Sequence, residues 1–340
     1  MQTVKASIII PVRNEAKTIA DCLNSILDND FPKTQYEIII IDGESDDNTR
    51  EVLKNIDWRQ VEHQILANEK KITPVSMNLG IKKARGLYII RMDAHTSYAT
   101  DYIRKCVEYL DRGVADNVGG PMRPVWESLL GQAVGIATSS SFGIGNARFH
   151  FPEHRGYVDT VYLGAYKKEV FEKIGLFDEE LVRNQDDELN FRLVKNGGKI
   201  YLAPDIRSFY HPRSSFTSLW RQYFEYGFWK VRVIQKHGVP ASWRHTVPGA
   251  FVTSLLFSLA MSPWSSGALF VFTTIISAYT LACLAATGFA SWNKEKKLIL
   301  VLPLVFFVLH FSYGFGFLSG ILVFYLQGKK VFSKHAQAVL

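Results

Sequence analysis

The sequence predicts an α/β domain built on a doubly wound, mostly parallel sheet, followed by a C-terminal region of transmembrane helices. Two patterns carry that expectation. Over the first 120 residues, short β-branched runs alternate with helical stretches, as parallel strands joined by crossover helices require. Beyond residue 245, two long stretches contain no Asp, Glu, Lys or Arg, and each is long enough to fill a bilayer core of about 30 Å.

The strands are read at 6–12, 37–42, 61–66, 87–92 and 115–119. Between the first two, Ile19, Leu23, Ile26 and Leu27 recur at helical spacing, and Thr73-Pro74 opens a further helix with Pro in its first turn. In doubly wound sheets ligands bind beyond the carboxyl ends of the strands, so 11–15, 42–47 and 93–95 should converge on one crevice. Each is a polar segment that follows an apolar strand. Another helix should begin near Asp186, with acids in its first turn and a stop at Asn196-Gly197-Gly198.

Residues 1–215 thus form the catalytic domain, and 216–243 a linker whose mixture of aromatic and basic residues suits an amphipathic helix in a membrane interface, with a buried core helix as the alternative. Residues 244–340 form the membrane region, with hydrophobic segments at 247–264, 268–290 and 299–326. The PWSSG break makes the first two a hairpin, and the basic NKEKK loop places its ends on the side of the catalytic domain. A third crossing would put Lys329, Lys330 and Lys334 on the far side, so a re-entrant last segment is the competing arrangement.

The chain carries a formal charge of +7, of which +5 falls between His245 and the C-terminus. The basicity therefore flanks the membrane segments instead of massing on a folded face, which argues against nucleic acid as a partner. Cys22, Cys106 and Cys283 form no CxxC pair and suggest neither a disulfide framework nor a zinc site. No signal peptide precedes the first apolar run, and the N-terminal domain is expected on the cytoplasmic face of an inner membrane.

The segments SIIIPVRNE, EIIIIDG, SMNLGIKKARG and YIIRMDAH, in this order and spacing, closely resemble the family 2 glycosyltransferases of the GT-A fold, a Rossmann-like, mostly parallel sheet. With RNQDDELNFR, FYHPRSS and the late apolar segments, the chain also resembles bacterial exopolysaccharide enzymes of the succinoglycan type. The resemblance implies an inverting, metal-dependent hexosyltransferase. It would carry one sugar from a UDP-sugar donor to a polyprenyl-linked saccharide in exopolysaccharide or capsule synthesis. Bare polyprenyl phosphate as acceptor, or a non-catalytic membrane scaffold with a nucleotide-sugar fold, are the alternatives.

A sugar nucleotide asks for an edge acceptor for its base, ribose contacts, a divalent cation at its diphosphate and a base for the incoming hydroxyl. The resemblance assigns the uracil edge to Asp42, and makes Pro11, Arg13 and Glu15 the lining of the nucleotide pocket. Gly43 stands where many relatives have a second acid, and Asp46 and Asp47 read as helix caps. Asp93-Ala94-His95 stands for the usual Asp-x-Asp: Asp93 contacts ribose and metal, and His95 ligates the metal. An imidazole there accommodates Mn2+ more readily than Mg2+ without excluding the latter. Asp186, aligned through Leu189 and Arg192, becomes the catalytic base, with Asp187 as runner-up. His211 and Arg213 are candidates for contact with the diphosphate or acceptor. The processive Gln-x-x-Arg-Trp signature is missing, so one sugar per acceptor is expected.

Overall fold

A computed structural model describes residues 4–326. The described residues divide into two compact units, the first comprising 4–123 and 148–211, the second 124–147 and 212–326.

In the first unit, strands β1 (Ala6–Val12), β2 (Tyr36–Asp42), β3 (Glu62–Ala67) and β4 (Tyr88–Arg91) pair in parallel, in the order β3-β2-β1-β4. β5 is Thr96–Tyr98, β6 Asn117–Gly120, β7 Met122–Pro124, β8 Gly156–Tyr157, β9 Tyr162–Lys167, β10 Ile200–Leu202 and β11 Ser208–Tyr210. The main sheet has eight strands in the order β3-β2-β1-β4-β9-β6-β10-β8, and β5-β11-β7 form a small second sheet. The five predicted strands are all present, displaced by at most two residues at either end. β9 was not expected. It enters antiparallel between β4 and β6, so the strand predicted at 115–119 does not pair with β4 directly.

Helices α1 (Ile19–Leu27), α2 (Thr49–Lys54), α3 (Thr73–Lys83), α4 (Tyr102–Asp111), α7 (Glu169–Ile174) and α8 (Gln185–Lys195) belong to this unit. β1 and β2 are buried on both faces, which is why they read as continuous isoleucine runs: Ile8, Ile10, Ile38 and Ile40 join one core cluster, Ile9, Ile39 and Ile41 the other. In SMNLG, Gly80 lets α3 lie against the sheet, since a Cβ there would come within 2.5 Å of Ile9 Cγ2. Asn78 exchanges hydrogen bonds with the backbone of Phe177, donating at 2.9 Å and accepting at 2.9 Å. That pair fixes the loop leading towards α8, so both polar-looking motif residues serve packing. A buried Asn190 accepts from Asn117 Nδ2 at 2.9 Å and donates to Thr160 Oγ1 at 2.8 Å, which seats α8 on the sheet. Arg192 holds α8 against the end of α7: it forks onto Glu188 Oε1 and Oε2 at 3.0 and 2.8 Å and donates to the Leu176 carbonyl.

The second unit is helical: α5 (Leu129–Thr138), α6 (Ser141–Ile144), α9 (Phe216–His237), α10 (Val247–Met261), α11 (Ser266–Ser291) and α12 (Leu298–Ile321), which ends in a π-helical turn over Leu322–Leu326. α12 is the centre of its core, packing Leu302, Val305, Phe306 and Leu309 with Ala133, Val134 and Leu219. The predicted amphipathic helix is α9, and it lies along α12 at backbone contact distance, which Gly227 and Gly316 permit. A Cβ on Gly227 would meet Tyr313 O at 2.1 Å, and one on Gly316 would meet Phe224 O at 2.0 Å. One face of α9 is therefore core, as the alternative reading held.

Among the described residues, two helices are long and apolar enough to cross a membrane: Ser266–Ser291, mean hydropathy 2.0, and Leu298–Leu326, mean hydropathy 2.2. The first predicted segment, 247–264, is a helix of 15 residues, and at about 1.5 Å per residue it falls short of a bilayer core. Lys329, Lys330 and Lys334, on which the third crossing turned, lie outside the described residues.

Candidate active site

The polar segments after β1, β2 and β4 meet at the carboxyl end of the sheet, and their contacts are mutual. The backbone N–H of Asn14 donates to Ser45 Oγ at 3.0 Å, that of Glu15 to Thr49 Oγ1 at 2.8 Å and that of Ala16 to Asp47 Oδ2 at 3.2 Å. Asp47 also accepts from the Thr49 N–H at 2.9 Å, but the N-cap of α2 is Asn48, so neither Asp46 nor Asp47 is the cap that was expected. Asp46 is held by its N–H, which donates to Asn14 Oδ1 at 3.0 Å. Asn14 accommodates this crossing with φ 56°, a left-handed conformation that Asn tolerates better than most residues.

Asp42 closes β2 and is 3% exposed. Ser45 Oγ donates to its Oδ1 at 2.5 Å, and Arg50 Nε to its Oδ2 at 2.5 Å. The Ser45 N–H also reaches Oδ1 at 3.2 Å and Oδ2 at 3.4 Å, so a base-edge donor would replace one of these partners, of which Arg50, its side chain 49% exposed, is the most open. Arg50 and Ser45 were not anticipated, because a cation eight residues downstream gives no local signal of pairing with a strand-end acid. Gly43 packs under Arg13, where an added Cβ would stand 3.5 Å from Arg13 Cβ. That is ordinary contact, so the missing second acid is not excluded by space. Pro11 and Arg13 are half-buried at this end of β1.

Asp93 and His95 leave β4 in a turn anchored by its backbone. The Asp93 N–H donates to Tyr98 OH at 2.7 Å, and Tyr98 OH and Cys22 Sγ approach the Asp93 carbonyl at 3.2 and 3.4 Å. His95, its side chain 48% exposed, has Nδ1 2.9 Å from Glu15 Oε1, whose partner oxygen accepts from Thr18 Oγ1 at 2.8 Å. The loop after β1 and the loop after β4 are thus joined through two predicted site residues.

Asp186 stands in the first turn of α8, beyond Asn184, which is left-handed at φ 61°. Asp187 and Glu188 complete that acidic turn, where the helix dipole favours negative charge. Asp186 is ion-paired with Arg91, the last residue of β4, and the same guanidinium donates to Asp93 Oδ1 through Nη2 at 3.0 Å and Nε at 3.3 Å. Sequence reasoning passed over Arg91. Its signal was a charge at the end of an apolar strand, two residues before Asp93 and so on the same face.

Burial pushes the Asp186 carboxyl above the ordinary aspartate range, against the pull of Arg91 and with the charges of Asp93 and Asp187 adding to the rise. Because 34% of its side chain remains open, solvent moderates that rise. Burial acts on Asp93 too, but Arg91, His95 and Arg183 outweigh it and hold this acid below its usual range. Two carboxylates around one arginine are thereby pushed apart in proton affinity.

His211 follows β11, whose Tyr210 pairs with Thr96 of β5, so the strand delivers it to the neighbourhood of His95 in register. Arg213 lies in the second unit, where its Nε donates to Gln222 Oε1 at 3.3 Å. As donors, one imidazole beside carboxylates at Glu15 and Asp93 suit Mn2+ or Mg2+. Among the described residues no three His, Cys, Asp or Glu side chains stand close enough to enclose an ion. The donor types therefore fit a divalent cation, whereas a closed metal cage is not built from the protein alone.

A mostly parallel sheet with acids gathered at its carboxyl edge is the layout of an α/β enzyme that binds its ligand beyond the strand ends. Residues 7–175 match the glycosyl transferase family 2 model. The chain is 30% identical over 327 residues to the dolichyl N-acetyl-alpha-D-glucosaminyl phosphate 3-beta-D-2,3-diacetamido-2,3-dideoxy-beta-D-glucuronosyltransferase of Methanococcus voltae, covering 93% of this chain and 97% of that one. It is 27% identical over 334 residues to the succinoglycan biosynthesis protein ExoA of Rhizobium meliloti (strain 1021), covering 95% and 97%. Among solved structures, the mannosyltransferase PcManGT of Pyrobaculum calidifontis, in complex with GDP-Man and Mn2+, superposes with a TM-score of 0.59 at 18% identity, over 93% of this chain and 87% of that one. The chain belongs to glycosyl transferase family 2 and is a glycosyltransferase.

Proposed function

We propose that this enzyme transfers a single hexose, with inversion, from a UDP-sugar to a lipid-linked saccharide during exopolysaccharide or capsule synthesis. The observation that carries the reading is the Asp93–Arg91–Asp186 cluster, which sets an acid suited to the donor end of the crevice beside an acid suited to proton removal. Asp42 accepts from the base edge, with Pro11, Arg13 and Glu15 lining the nucleotide, and Asp93 meets the ribose. Asp186 takes the proton from the acceptor hydroxyl as its oxygen attacks the anomeric carbon, and a single displacement inverts that centre. A carboxyl raised above the ordinary range is a better proton acceptor than a free aspartate, and burial raises Asp186 in this way. His95 and Asp93 would hold the divalent cation, Mn2+ or Mg2+, which when bound neutralises charge on the departing diphosphate. His211 is a further contact for the diphosphate or the acceptor.

Two of the relatives are named for a dolichyl-phosphate-linked sugar and for succinoglycan synthesis, which supports a lipid-linked acceptor. A sugar hydroxyl needs a base and an anionic phosphate does not, so the Asp186 cluster favours a saccharide acceptor over bare polyprenyl phosphate.

Residues 244–340 are proposed as a multi-pass membrane region with the catalytic domain on the cytoplasmic side. α11 is 6% buried over its apolar window, a surface that water does not tolerate on a 26-residue helix. Trp264 before its start and Trp292 after its end are 79% and 74% exposed, the arrangement of an aromatic belt at two interfaces. The 216–243 segment then joins the catalytic domain to the bilayer.

The test uses membranes containing the wild-type chain or Asp186→Asn, radiolabelled UDP-sugars, lipid extract as acceptor, and Mn2+, Mg2+ or chelator. Label in a lipid-linked glycan that disappears with Asp186→Asn supports the reading. Nucleotide binding without turnover by the wild type under any condition would favour a non-catalytic scaffold.

A further inference from the structure

Arg91 is a costly residue for its place. It ends a strand whose other members are apolar, its side chain is 10% exposed, and it pairs in register with Ile9 of β1. Burying a guanidinium with its counter-charges stabilises a fold no better than an apolar side chain of similar volume would. The compensation must come from what the charge does.

We propose that Arg91 is a positioning residue for transfer: it holds the base Asp186 at a set place beside the donor end of the crevice by binding Asp186 and Asp93 at once. This rests on the reading of Asp186 as the base. The geometry is specific to arginine. Nη1 faces Asp186 while Nη2 and Nε face Asp93, and only a planar fork presents donors to two carboxylates on different sides. The two acids come from separate elements, β4 with its following turn and the start of α8. Without Arg91 they become like charges sharing one crevice, which displaces the Asp186 side chain at the first turn of α8 and leaves Asp93 in a turn anchored through Tyr98 and Cys22. Arg91 also brings a positive charge to where a diphosphate arrives, so it contributes to nucleotide binding when no divalent cation is present.

The experiment uses the full-length chain in detergent, with Arg91→Gln, Arg91→Lys, Asp186→Asn and the double variant Arg91→Gln/Asp186→Asn. UDP binding is measured by calorimetry with chelator and with Mn2+, and turnover with UDP-glucose or UDP-N-acetylglucosamine and lipid extract. Arg91→Gln is expected to lower kcat about 100-fold, as loss of alignment at a reacting group does, with donor KM in Mn2+ changed less than about 3-fold. In chelator its UDP affinity falls about 10-fold, because one charge near the diphosphate is gone. Arg91→Lys recovers the chelator binding but not kcat, since one ammonium cannot face both acids. Arg91→Gln adds little to the loss already caused by Asp186→Asn, because both act through one group.

Full recovery of kcat by Arg91→Lys, or losses that multiply in the double variant, would overturn the proposal and make Arg91 a prop of the fold. The thermal midpoint of each variant separates that case from unfolding. Arg91→Gln with kcat within about 3-fold of wild type, alongside an inactive Asp186→Asn, sinks the positioning role and leaves the base intact. An active Asp186→Asn sinks the base itself, and the role assigned to Arg91 with it.

Discussion

His95 Nδ1 lies 2.9 Å from Glu15 Oε1, a contact across 80 residues of sequence that joins the turn after β4 to the loop after β1. If this pair aligns the imidazole for a cation, Glu15→Ala should weaken Mn2+-dependent UDP binding about 10-fold, the usual scale for loss of a partner that orients a metal-binding His. His95→Ala should abolish the Mn2+ increment altogether. Calorimetric titration of UDP with and without MnCl2 checks both, and a Glu15→Ala affinity equal to wild type would remove Glu15 from the site.

The pH profile follows from Asp186. Its proton affinity is raised by burial against the pull of Arg91, and a base works only when deprotonated. Activity should therefore be full above its pKa and fall as pH drops through it, with the acid limb of kcat/KM centred above the range of an ordinary aspartate. Asp186→Asn should lower kcat about 1,000-fold and erase that limb. An unchanged acid limb on a slow Asp186→Asn enzyme would assign the limb to another group.

Asn78 is a stability residue despite its place in a family motif. Asn78→Ala strands the Phe177 N–H and carbonyl, which lie in buried hydrogen bonds, while the Glu179 carboxylate, 39% exposed and paired with Lys70, stays solvated. A cost of about 2–3 kcal/mol is expected for buried groups left unsatisfied, seen as a lower thermal midpoint. At a temperature where the variant is folded, UDP affinity should match wild type.

The close approach of α9 and α12 depends on glycine. Gly316→Val would drive a side chain into the Phe224 carbonyl, which a Cβ already meets at 2.0 Å. Overpacking here should cost at least about 1–3 kcal/mol and make α9 susceptible to limited proteolysis near Phe224. Protection equal to wild type would mean that the two helices do not pack in this way.

Membrane residence is checked by alkaline carbonate extraction, in which the chain should stay with the pellet. Release of the intact chain by carbonate would make its association peripheral.

The parallel strands, their polar carboxyl-end segments and the helix carrying Asp186 were legible because each rests on local periodicity: isoleucine runs buried on both faces, a proline in the first turn of α3, acids at the start of α8. The segments holding Asp42, Asp93 and His95 could be placed together because strand ends in such a sheet are addresses in the chain, whereas the choice of those residues came from the family resemblance. Arg50 on Asp42 and Arg91 between Asp93 and Asp186 could not, since an ion pair between elements depends on where the chain returns after many residues and leaves no periodic trace. The same holds for β9, whose antiparallel insertion is decided by pairing partners, and for α9, whose aromatic and basic mixture serves equally for a membrane interface or a helix packed through glycines. Local pattern settled which residues are apolar, extended or helical. Only the tertiary contacts decided which charges face one another, because Coulomb attraction and backbone approach act through space and not along the sequence.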